Sequence, residues 1–511
     1  MCGINGVFAY GQSAAAVDER ELLATREKMR HRGPDGEGLY LSDDRRIGLG
    51  HRRLSIIDLS PAGAQPMTRG PYTIVFNGEI YNYQSLRDQL EAEGVTFTSH
   101  CDTEVLLQLF AREREAMLPR LRGMYAFAIW DQNERRLFLA RDPYGIKPLY
   151  IADDGSVLRF GSQVRALISG GGVSKRFDPA GAAGFLLRGS VPEPFTMYQA
   201  IRSLPAGSYL YAGEGAVSAP AAHFSIAATW RNAFDEQREV SDEERVAAVH
   251  DAVLDSVRHH MVADVPVGAF LSAGIDSASV VAFAREAGAT GLQTMTLRFS
   301  EYRGRINDEA PLAQALAREF GVRHTIRDLT YDQFKQELPR VFDAMDQPTV
   351  DGLNSYFISK AAAEIGLKVA LSGTGGDELF GGYTSFRDIP RWMPMTSVLS
   401  RIPGLGDGVH RLNALLARRS RHISPKMGEI VRHGATYAGA YLVKRGRFLS
   451  EELPAVLGRE VAEEGLARLD MLGMLEGAVT PDPMTPYARV STLESSFYLR
   501  NQLLRDVDWA S

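Results

Sequence analysis

The first 210 or so residues alternate short apolar runs with turn-forming residues, a pattern typical of β-strands joined by tight connections. The predicted strands cover 4–10, 47–51, 72–78, 125–131, 136–142 and 158–162. Between them, the spacing of apolar residues predicts helices over 18–30, 83–93 and 102–115. Because the strands are grouped with few helices among them, we expect stacked, mostly antiparallel sheets with helices outside.

The pattern changes at residues 212–242, where small residues followed by charges predict a linker. A helix is predicted beyond it, over 243–262, and its apolar face carries Val246, Val249, Val253, Val257 and Met261. Further strands are predicted over 267–271, 294–299, 324–329 and 368–372. They alternate with helices, which is typical of a parallel sheet covered on both faces. After about 385 the pattern is mostly helical, and its basic stretch, 415–426, is interpreted as a solvated helix end.

Length and composition narrow the class of protein. A chain of 511 residues is too long for one ordinary core, and 45% apolar with 23% charged residues is typical of a soluble globular protein. The net charge of -6 gives no indication of a nucleic-acid or membrane-surface partner. Two cysteines are too few for a disulfide framework and favour the cytoplasm. No signal-peptide pattern and no run of roughly 18 apolar residues is present.

The stretch "FLSAGIDSASVV" (270–281) reads as a buried strand, a short turn and a helix. Ser272, Gly274 and Ser277 are small, so backbone N–H groups and the helix N-terminus can surround an anion. The alternative is an ordinary β–α connection in which Asp276 or Ser277 caps the helix.

A second stretch, "ALSGTGGDELFGGY" (370–383), repeats the arrangement of strand, glycine-rich turn, acidic residues and helix. In a parallel sheet both loops lie at the carboxyl ends of the strands, where ligands bind. Two such loops favour a nucleotide over simple capping. Asp276 and Asp377 are candidates to hold Mg²⁺ between them, with phosphate oxygens completing its coordination.

The N-terminus carries a candidate nucleophile. Cys2 follows the initiator directly. A free cysteine has a pKa of about 8.5 and needs a nearby base, whereas a terminal α-amine titrates near 8. If Met1 is removed, Cys2 carries that amine itself and supplies both nucleophile and base. The alternative is a small residue that merely permits removal of Met1.

Several motifs resemble those of glutamine-hydrolysing asparagine synthetases. Six of them occur in the order found in class II glutamine amidotransferases: "MCGI", "RHRGPDG" (30–36), "GHRRLSIID" (50–58), "NGEIYNY" (77–83), "CDTEVLL" (101–107) and "RDPYGIKPLY" (141–150). "SAGIDS" is similar to the S-G-G-x-D-S loop of ATP-pyrophosphatases, although Ala273 stands where glycine is usual. Alanine is tolerated there if the position does not need a positive φ. "SGTGGDELFGGY" resembles the second nucleotide loop of asparagine synthetases.

The resemblance implies an α+β, Ntn-hydrolase-type αββα sandwich over 1–211, the linker, and an α/β ATP-pyrophosphatase-type domain with a helical C-terminal part over 243–511. It implies that Cys2 hydrolyses glutamine through a γ-glutamyl thioester. Ammonia then reaches a carboxylate activated by ATP as an acyl-adenylate. The first expectation is aspartate, which gives asparagine, AMP and pyrophosphate. A homodimer is a candidate assembly.

The resemblance also implies residue roles. Asn77 and Gly78 form the oxyanion hole, although Asn-Gly alone would favour a type I′ hairpin turn. Arg53, rather than Arg52, binds the glutamine α-carboxylate, and Glu79 with Asp102 meets its ammonium. The alternative interpretation is that these three residues are ordinary surface charges and that Asp102 is the N-cap of a helix. Cys101 is expected to be packed, without a catalytic role.

Residues around ATP follow from the same resemblance. The adenosine neighbours are Leu271, Leu297, Ser372 and Gly373, and the pyrophosphate neighbours are Ser272, Gly274, Asp276 and Ser277, with Asp377 opposite. Thr374, beside the acyl-adenylate, stands where asparagine synthetases often carry glutamate. The acceptor therefore stays open, and a sugar uronic acid of a surface polysaccharide is the main alternative.

The C-terminal stretch "LLRDVDWAS" breaks off before the segment that bears a lysine in the family. We expect either a fragment or an impaired synthetase. A glutaminase-only or ligand-sensing paralogue is the hypothesis from a different class.

Overall fold

Two antiparallel sheets stack in the N-terminal part of the chain, as the alternating apolar runs predict. The computed structural model describes residues 1–402, 404–419 and 426–511. The first sheet has the order β10-β8-β9-β1-β3-β2, and the second has β12-β11-β7-β6-β5-β4 with β13 beside β11. The strands are β1 Gly3–Ala9, β2 Gly36–Leu41, β3 Ile47–Arg53, β4 Met67–Arg69, β5 Tyr72–Ile80, β6 Gly123–Asp131, β7 Arg136–Arg141, β8 Tyr150–Asp153, β9 Val157–Gly161, β10 Arg202–Ser203, β11 Ser208–Gly213, β12 Ala216–Val217 and β13 Ala221–Ala222.

Helices cover the outer faces of both sheets. Phe8, Leu49 and Trp130 belong to the apolar core between the sheets, while Phe76 and Phe110 belong to the core between the second sheet and its helices. The helices are α1 Glu19–Lys28, α2 Tyr83–Ala92, α3 Asp102–Glu113, α4 Val164–Gly170 and α5 Pro179–Arg188. Of these, α1 packs on β1 and β3 and α4 packs on β9 of the first sheet. The predicted αββα sandwich and its three predicted helices are confirmed.

The segment predicted as a linker, 212–242, contains regular structure. Strands β12 and β13 pair with β11 and extend the edge of the second sheet. Helix α6 (Ile226–Asp235) follows, with Ser225 as its N-cap. The backbone of the first residues of this segment therefore belongs to the edge of the second sheet.

A four-stranded parallel sheet organises the second half of the chain. Its order is β16-β15-β14-β17, with every pair parallel. The strands are β14 Val267–Phe270, β15 Gln293–Phe299, β16 Arg323–Leu329 and β17 Val369–Leu371. The helices around it are α7 Asp242–His260, α8 Ile275–Glu286, α9 Ala310–Glu319, α10 Tyr331–Ala344, α11 Leu353–Glu364 and α12 Gly376–Phe380. The predicted parallel sheet is confirmed.

Helix α7 buries only part of its predicted apolar face. Val257 is buried, and Val253 and Met261 pack against the same core. By contrast, Val246 and Val249 are 70% and 47% exposed. The predicted helix is confirmed, and its apolar face is buried only towards its C-terminal end.

The C-terminal part is helical, as predicted. Its helices are α13 Ser385–Leu399, α14 Leu405–Arg419, α15 Lys426–His433, α16 Tyr437–Arg445, α17 Leu453–Leu457, α18 Arg459–Leu469, α19 Met471–Ala478, α20 Pro486–Leu493 and α21 Arg505–Ala510, with a π-helical segment at Glu494–Leu504. Half of the basic stretch 415–426 lies outside the described residues, which omit 420–425. Among the described helices none has the length and apolarity needed to cross a membrane.

Polar contacts join the two halves. The Asp346 carboxylate accepts hydrogen bonds of 2.9 Å from the backbone amides of both Val164 and Arg165 at the start of α4. The Asp264 carboxylate accepts from the Asp58 amide at 2.7 Å. Lys368, beside β17, pairs with Asp35 at 2.7 Å. The two halves therefore meet through specific hydrogen bonds and ion pairs.

Candidate active sites

Cys2 lies at the end of the first sheet, directly before β1. Its Sγ accepts from the Leu54 amide at 3.4 Å and lies 3.6 Å from the Leu54 carbonyl oxygen, to which it donates. Pairing of β1 with β3 brings about this contact, because Gly3 faces Arg52 in the register. The thiol is therefore held beside the residue that follows Arg53.

Burial governs the protonation of the N-terminal groups. Burial, together with the charges of Arg32 and Lys147, lowers the pKa of the Met1 α-ammonium to about 5. Burial also raises the pKa of the Cys2 thiol. In the chain that carries Met1, the amine is therefore a neutral base at pH 7, but it sits on the residue before the thiol.

Asn77 and Gly78 lie inside strand β5, where they pair with Ala126 and Tyr125 of β6. The type I′ hairpin alternative is wrong, because the chain does not turn there. Both polar atoms of the Asn77 side chain are buried without a hydrogen-bond partner. A Cβ atom at Gly78 would lie 2.1 Å from the Met124 carbonyl oxygen, so the close approach of β6 requires glycine. An unpaired buried amide is uncommon and indicates a position where a ligand binds.

Arg53 has no ion pair with any described residue. Its Nη1 donates to the Ser60 carbonyl at 3.0 Å and its Nη2 to the Asp58 carbonyl. Two backbone carbonyls thus hold the guanidinium while its charge stays without a carboxylate. This arrangement suits recognition of a ligand carboxylate.

Glu79 and Asp102 are buried carboxyl groups that influence each other. Burial and the charge of Asp102, opposed by the charge of Lys147, raise the pKa of Glu79 to about 7. Burial likewise raises the pKa of Asp102 to about 6. Neither forms an ion pair within the described parts of the chain, so both can receive a cationic ligand group.

Asp102 is not the cap of α3. The N-cap is Cys101, and Asp102 is the first helical residue. Its carboxylate instead accepts from the Ile80 amide at 3.0 Å, which ties α3 to the end of β5. The N-cap position itself is therefore occupied by Cys101. Cys101 is 2% exposed within the core beside α3, so its predicted packing role is confirmed.

The second candidate site is a cavity of about 960 Å³ at the carboxyl ends of the parallel strands. All ten residues predicted around ATP and the acyl-adenylate line it: Leu271, Ser272, Gly274, Asp276, Ser277, Leu297, Ser372, Gly373, Thr374 and Asp377. The two glycine-rich loops touch there, since a Cβ atom at Gly373 would lie 3.0 Å from the Ser277 amide. Both loops therefore border a single space.

The first loop is shaped by Ser277 without capping the helix. Gly274 is the N-cap of α8 and makes no side-chain cap bond. The Ser277 hydroxyl accepts from the Ser272 amide at 3.1 Å and donates to the Gly274 carbonyl at 3.0 Å. Ala273 does not adopt a positive φ, so alanine fits this position. The alternative of a simple capped connection is wrong.

Asp276 and Asp377 approach each other across the two loops. Burial, and then the charge of Asp377, raise the pKa of Asp276. A Cβ atom at Gly376 would lie 2.6 Å from the Asp276 carboxylate, so glycine is needed for this approach. Two neighbouring carboxylates fit a hard divalent cation such as Mg²⁺.

Three residues at the first site have no role predicted from the sequence. Arg32 and Lys147 lie within the motifs "RHRGPDG" and "RDPYGIKPLY", yet nothing in the spacing assigned them a role. Arg32 donates from Nε to the Cys2 carbonyl at 2.9 Å, and Lys147 Nζ lies 3.0 Å from Met1 Sδ. Asp508 pairs with Arg32 from the far end of the chain, and no sequence pattern could reveal that contact.

Comparison with known proteins agrees with this division into two sites. Residues 1–223 match the glutamine amidotransferase domain family and residues 248–511 match the asparagine synthase family. The chain is 37% identical over 394 residues to asparagine synthetase (glutamine-hydrolyzing) 1 of Bacillus subtilis, covering 76% of this chain and 60% of that protein. It is 31% identical to asparagine synthetase (glutamine-hydrolyzing) 3 of the same organism, covering 80% and 68%. The chain thus spans only about 60% of the length of synthetase 1.

Among solved structures, the glutamine phosphoribosylpyrophosphate amidotransferase of B. subtilis aligns with a TM-score of 0.34 at 16% identity, covering 73% of this chain and 81% of that one. The family match of residues 248–511 extends over more than half of the chain, and synthetase 3 is matched over more than two thirds of its length. The chain belongs to the asparagine synthase family.

Proposed function

We propose that this chain is a glutamine-dependent amidotransferase with two linked sites. A glutaminase site lies in residues 1–211, and a site that activates a carboxylate with ATP lies in 243–511, with 212–242 connecting them. The observation that carries the proposal is a set of groups in the first half that lack part of their partners. The Asn77 side-chain amide has no hydrogen-bond partner, and the charges of Arg53, Glu79 and Asp102 form no ion pair among the described residues. Together they complement the carboxamide and the α-amino acid end of glutamine.

Glutamine hydrolysis begins at Cys2 in this proposal. After removal of Met1, the α-amine of Cys2 takes the thiol proton, and Sγ attacks the carboxamide carbon. The oxyanion that forms accepts hydrogen bonds from the Asn77 amide and the Gly78 backbone N–H. The amine returns the proton to the departing ammonia, and water then hydrolyses the γ-glutamyl thioester to glutamate.

Recognition of glutamine uses the remaining three residues. Arg53 binds the α-carboxylate, and Glu79 with Asp102 binds the α-ammonium. The ammonium is present in glutamine and absent from most carboxamides, so two buried acids select an amino acid. Binding a cation also lowers the pKa of both carboxyls and offsets the cost of ionising them in a buried position.

The nucleotide cavity, of about 960 Å³ at the carboxyl ends of the parallel strands, is proposed to bind ATP. Backbone amides and hydroxyls of the Ser272–Ser277 loop surround pyrophosphate at the N-terminus of α8. Leu271, Leu297, Ser372 and Gly373 surround adenosine. Asp276 and Asp377 would hold Mg²⁺, which neutralises phosphate charge when it is bound. The acceptor carboxylate would attack the α-phosphorus, giving an acyl-adenylate and pyrophosphate, and ammonia would then displace AMP to form the amide.

Aspartate is the proposed acceptor, and Thr374 is the observation that favours a second candidate. The Thr374 hydroxyl lies 2.7 Å from the Ser372 hydroxyl and carries no charge. An uncharged group beside the acyl-adenylate changes which acceptor is accommodated, so a sugar uronic acid is the alternative. A glutaminase-only or ligand-sensing role is the third possibility and requires no acceptor.

Exchange of labelled pyrophosphate into ATP tests these alternatives with the full chain. We expect exchange that depends on aspartate, together with glutaminase activity. Exchange that depends on a uronic acid rather than on aspartate would identify the uronic acid as the acceptor. Glutaminase activity without exchange under any carboxylate would overturn the synthetase part, and absence of glutaminase activity in the chain with Met1 removed would overturn the first part.

A further inference from the structure

A second cavity, of about 330 Å³, lies where α6 meets both halves of the molecule. Its walls include Pro143 and Ala206 from the first half, Phe224 and Ile226 near the start of α6, and Phe497 and Arg500 from the π-helical segment. It shares no lining residue with the nucleotide cavity, and none of the residues proposed above for catalysis or substrate binding borders it. It is therefore separate from both proposed active sites. Its volume is at the lower end of the range for small-molecule sites, about 300–1,000 Å³.

Arg500 brings an unpaired charge to this cavity. Its Nε donates to the Tyr144 carbonyl at 3.1 Å, and within the described residues it forms no ion pair and no other hydrogen bond. Burial lowers the pKa of Arg500, and the nearby charges of Glu193 and Asp142, which oppose this, do not fully offset it. No carboxylate of the described residues is hydrogen-bonded to this guanidinium, so an anionic group of a ligand would complete the site.

The N-terminus of α6 favours the same sign of charge. This helix has ten residues, and its N-cap Ser225 accepts from the Ala228 amide at 3.3 Å. The amides of Ile226 and Ala227, in the first turn, have no partner among the hydrogen bonds of the described chain. Free first-turn amides and the positive end of the helix dipole attract an anion.

Glu193 also lines the cavity and adds an acid. Its Oε1 accepts from Arg141 at 2.7 Å, while its Oε2 has no hydrogen-bond donor among the described residues. A free carboxylate oxygen in the same small cavity opposes a doubly charged phosphate and suits an ammonium group. The cavity thus presents one position for an anion, one for a cation, and apolar walls between them.

We propose that this cavity binds a free α-amino acid with a small apolar or hydroxyl side chain. The α-carboxylate would meet Arg500 and the first amides of α6, the α-ammonium would meet Glu193, and the side chain would contact Ile226 and Phe497. This site goes beyond the proposed function, because it takes neither glutamine nor the acceptor nor ATP.

Thermal unfolding of the full chain with each common free amino acid tests the proposal. Glutamine, glutamate, asparagine and aspartate are left out, because the proposed function gives them other sites. We expect at least one small amino acid to raise the Tm. Calorimetric titration with that amino acid should show a Kd about tenfold or more higher in Arg500→Gln, since a charge-assisted pair is lost. The control Arg318→Gln removes an exposed arginine from α9 and should bind as the unchanged protein does.

A second variant keeps the test valid if Arg500→Gln fails to fold. Ala222→Trp adds bulk at an exposed wall of the cavity and leaves Arg500 and its contact with Tyr144 in place. We expect it to abolish binding with an unchanged Tm in the absence of ligand. The proposal is overturned if no amino acid raises the Tm, or if binding persists in both variants. Binding of inorganic phosphate that requires Arg500, without amino acid binding, would overturn the amino acid assignment.

Discussion

Arg32 and Asp508 form a buried ion pair through two parallel hydrogen bonds. Nη1 lies 2.6 Å from Oδ2 and Nη2 lies 2.8 Å from Oδ1. Both side chains are almost fully buried, at 1% and 5% exposed. The Nε of the same arginine holds the Cys2 carbonyl at 2.9 Å. One side chain therefore connects helix α21 of the second half to the proposed nucleophile in the first half.

Asp508→Asn should destabilise the protein strongly and reduce glutaminase activity. It leaves the Arg32 charge buried without a counter-charge, a change that typically costs about 3–5 kcal/mol. Denaturant unfolding and glutamine hydrolysis measure the two effects. The matched control is Asp255→Asn, because Asp255 also pairs across the two halves, with Arg122 at 3.0 Å, but both side chains are more than half exposed. That variant should lose at most about 1 kcal/mol.

The double variant Arg32→Met with Asp508→Leu separates stability from positioning. Replacing a buried ion pair with apolar residues of similar volume is often neutral or stabilising. We therefore expect unfolding to return close to that of the unchanged protein while glutaminase activity stays low, because the Cys2 carbonyl has lost its donor. Full recovery of activity in the double variant would show that Arg32 has no positioning role.

Cys2→Ala should abolish turnover with glutamine and preserve turnover with added ammonium salts. The variant removes the nucleophile but leaves the nucleotide cavity intact, and ammonia from solution replaces the ammonia from glutamine. Amide formation with each nitrogen source measures this. The chain that retains Met1 should behave in the same way, because its amine is on the residue before the thiol. Glutamine hydrolysis by either protein would contradict the self-activating nucleophile.

Several strands and the parallel sheet can be predicted from the sequence, because their information lies in the local pattern of apolar residues and in motif spacing. Short apolar runs bounded by turn-forming residues predict β1, β5 and β6, and alternation of strands and helices predicts the parallel sheet. The Asn77–Gly78 pair shows the limit of local signals, since Asn-Gly favours a turn but here continues a strand. Its place is decided by pairing with β6, a long-range contact.

Two other features also depended on partners distant in sequence. The valines of α7 have helical spacing throughout, yet burial requires packing against other elements: Val257 is buried, whereas Val246 and Val249 are exposed. Arg32 and Asp508 are 476 residues apart, so their contact follows from domain packing alone. Ordinary charged residues become part of a site only through such packing.

Asn77→Ala should lower glutaminase kcat without destabilising the fold. Loss of one oxyanion donor typically costs about 10²–10³ in kcat. Because the Asn77 amide is buried and unpaired, its removal leaves no new unsatisfied group. Gln65→Ala is the matched control: Gln65 accepts from the Phe76 amide at 2.6 Å and donates to Thr103 at 3.2 Å. That variant should destabilise by about 1–3 kcal/mol, because the Phe76 amide becomes unsatisfied. Loss of stability in Asn77→Ala would contradict the assignment.

Glu79→Gln should stabilise the ligand-free protein at high pH and weaken glutamine binding. Burial raises the pKa of Glu79 from 4.5 to about 7, so the folded state holds its proton more tightly than the unfolded chain does. The stabilisation from the protonated form is complete below pH 4.5 and is lost as pH rises through about 7. The substituted side chain of the variant is neutral at every pH and avoids that loss of stability, which is on the order of 3 kcal/mol.

Denaturant unfolding at pH 4.5 and pH 8 therefore distinguishes this titration from a simple packing effect. The difference between variant and unchanged protein should be small at the lower pH and should favour the variant at the higher pH. In the unchanged protein, the KM for glutamine should rise as pH falls below about 7 and then about 6, because the two acids lose the charge that meets the ammonium. A pH-independent stability difference would indicate packing alone.

Asp377→Asn should weaken Mg²⁺-dependent binding of ATP and leave glutaminase activity unchanged. It removes one of two adjacent carboxylates in the nucleotide cavity, and it also removes the charge that helps raise the pKa of Asp276. The pKa of Asp276 should therefore fall towards its ordinary value, observable by titration of the carboxyl signal in NMR. Calorimetry with ATP and Mg²⁺ should show at least about a tenfold loss of affinity, since one charged ligand is missing.

The matched control for this loss is Asp332→Asn. Asp332 is an exposed acid in the first turn of α10 and does not line the cavity. Its variant should bind ATP as the unchanged protein does, with and without Mg²⁺. If Asp377→Asn also binds unchanged in the presence of Mg²⁺, the two aspartates do not hold the cation. If both variants lose affinity equally, general negative charge rather than a specific cation site explains the effect. Loss in Asp377→Asn alone, and only with Mg²⁺ present, is the outcome that the contact between the two loops predicts.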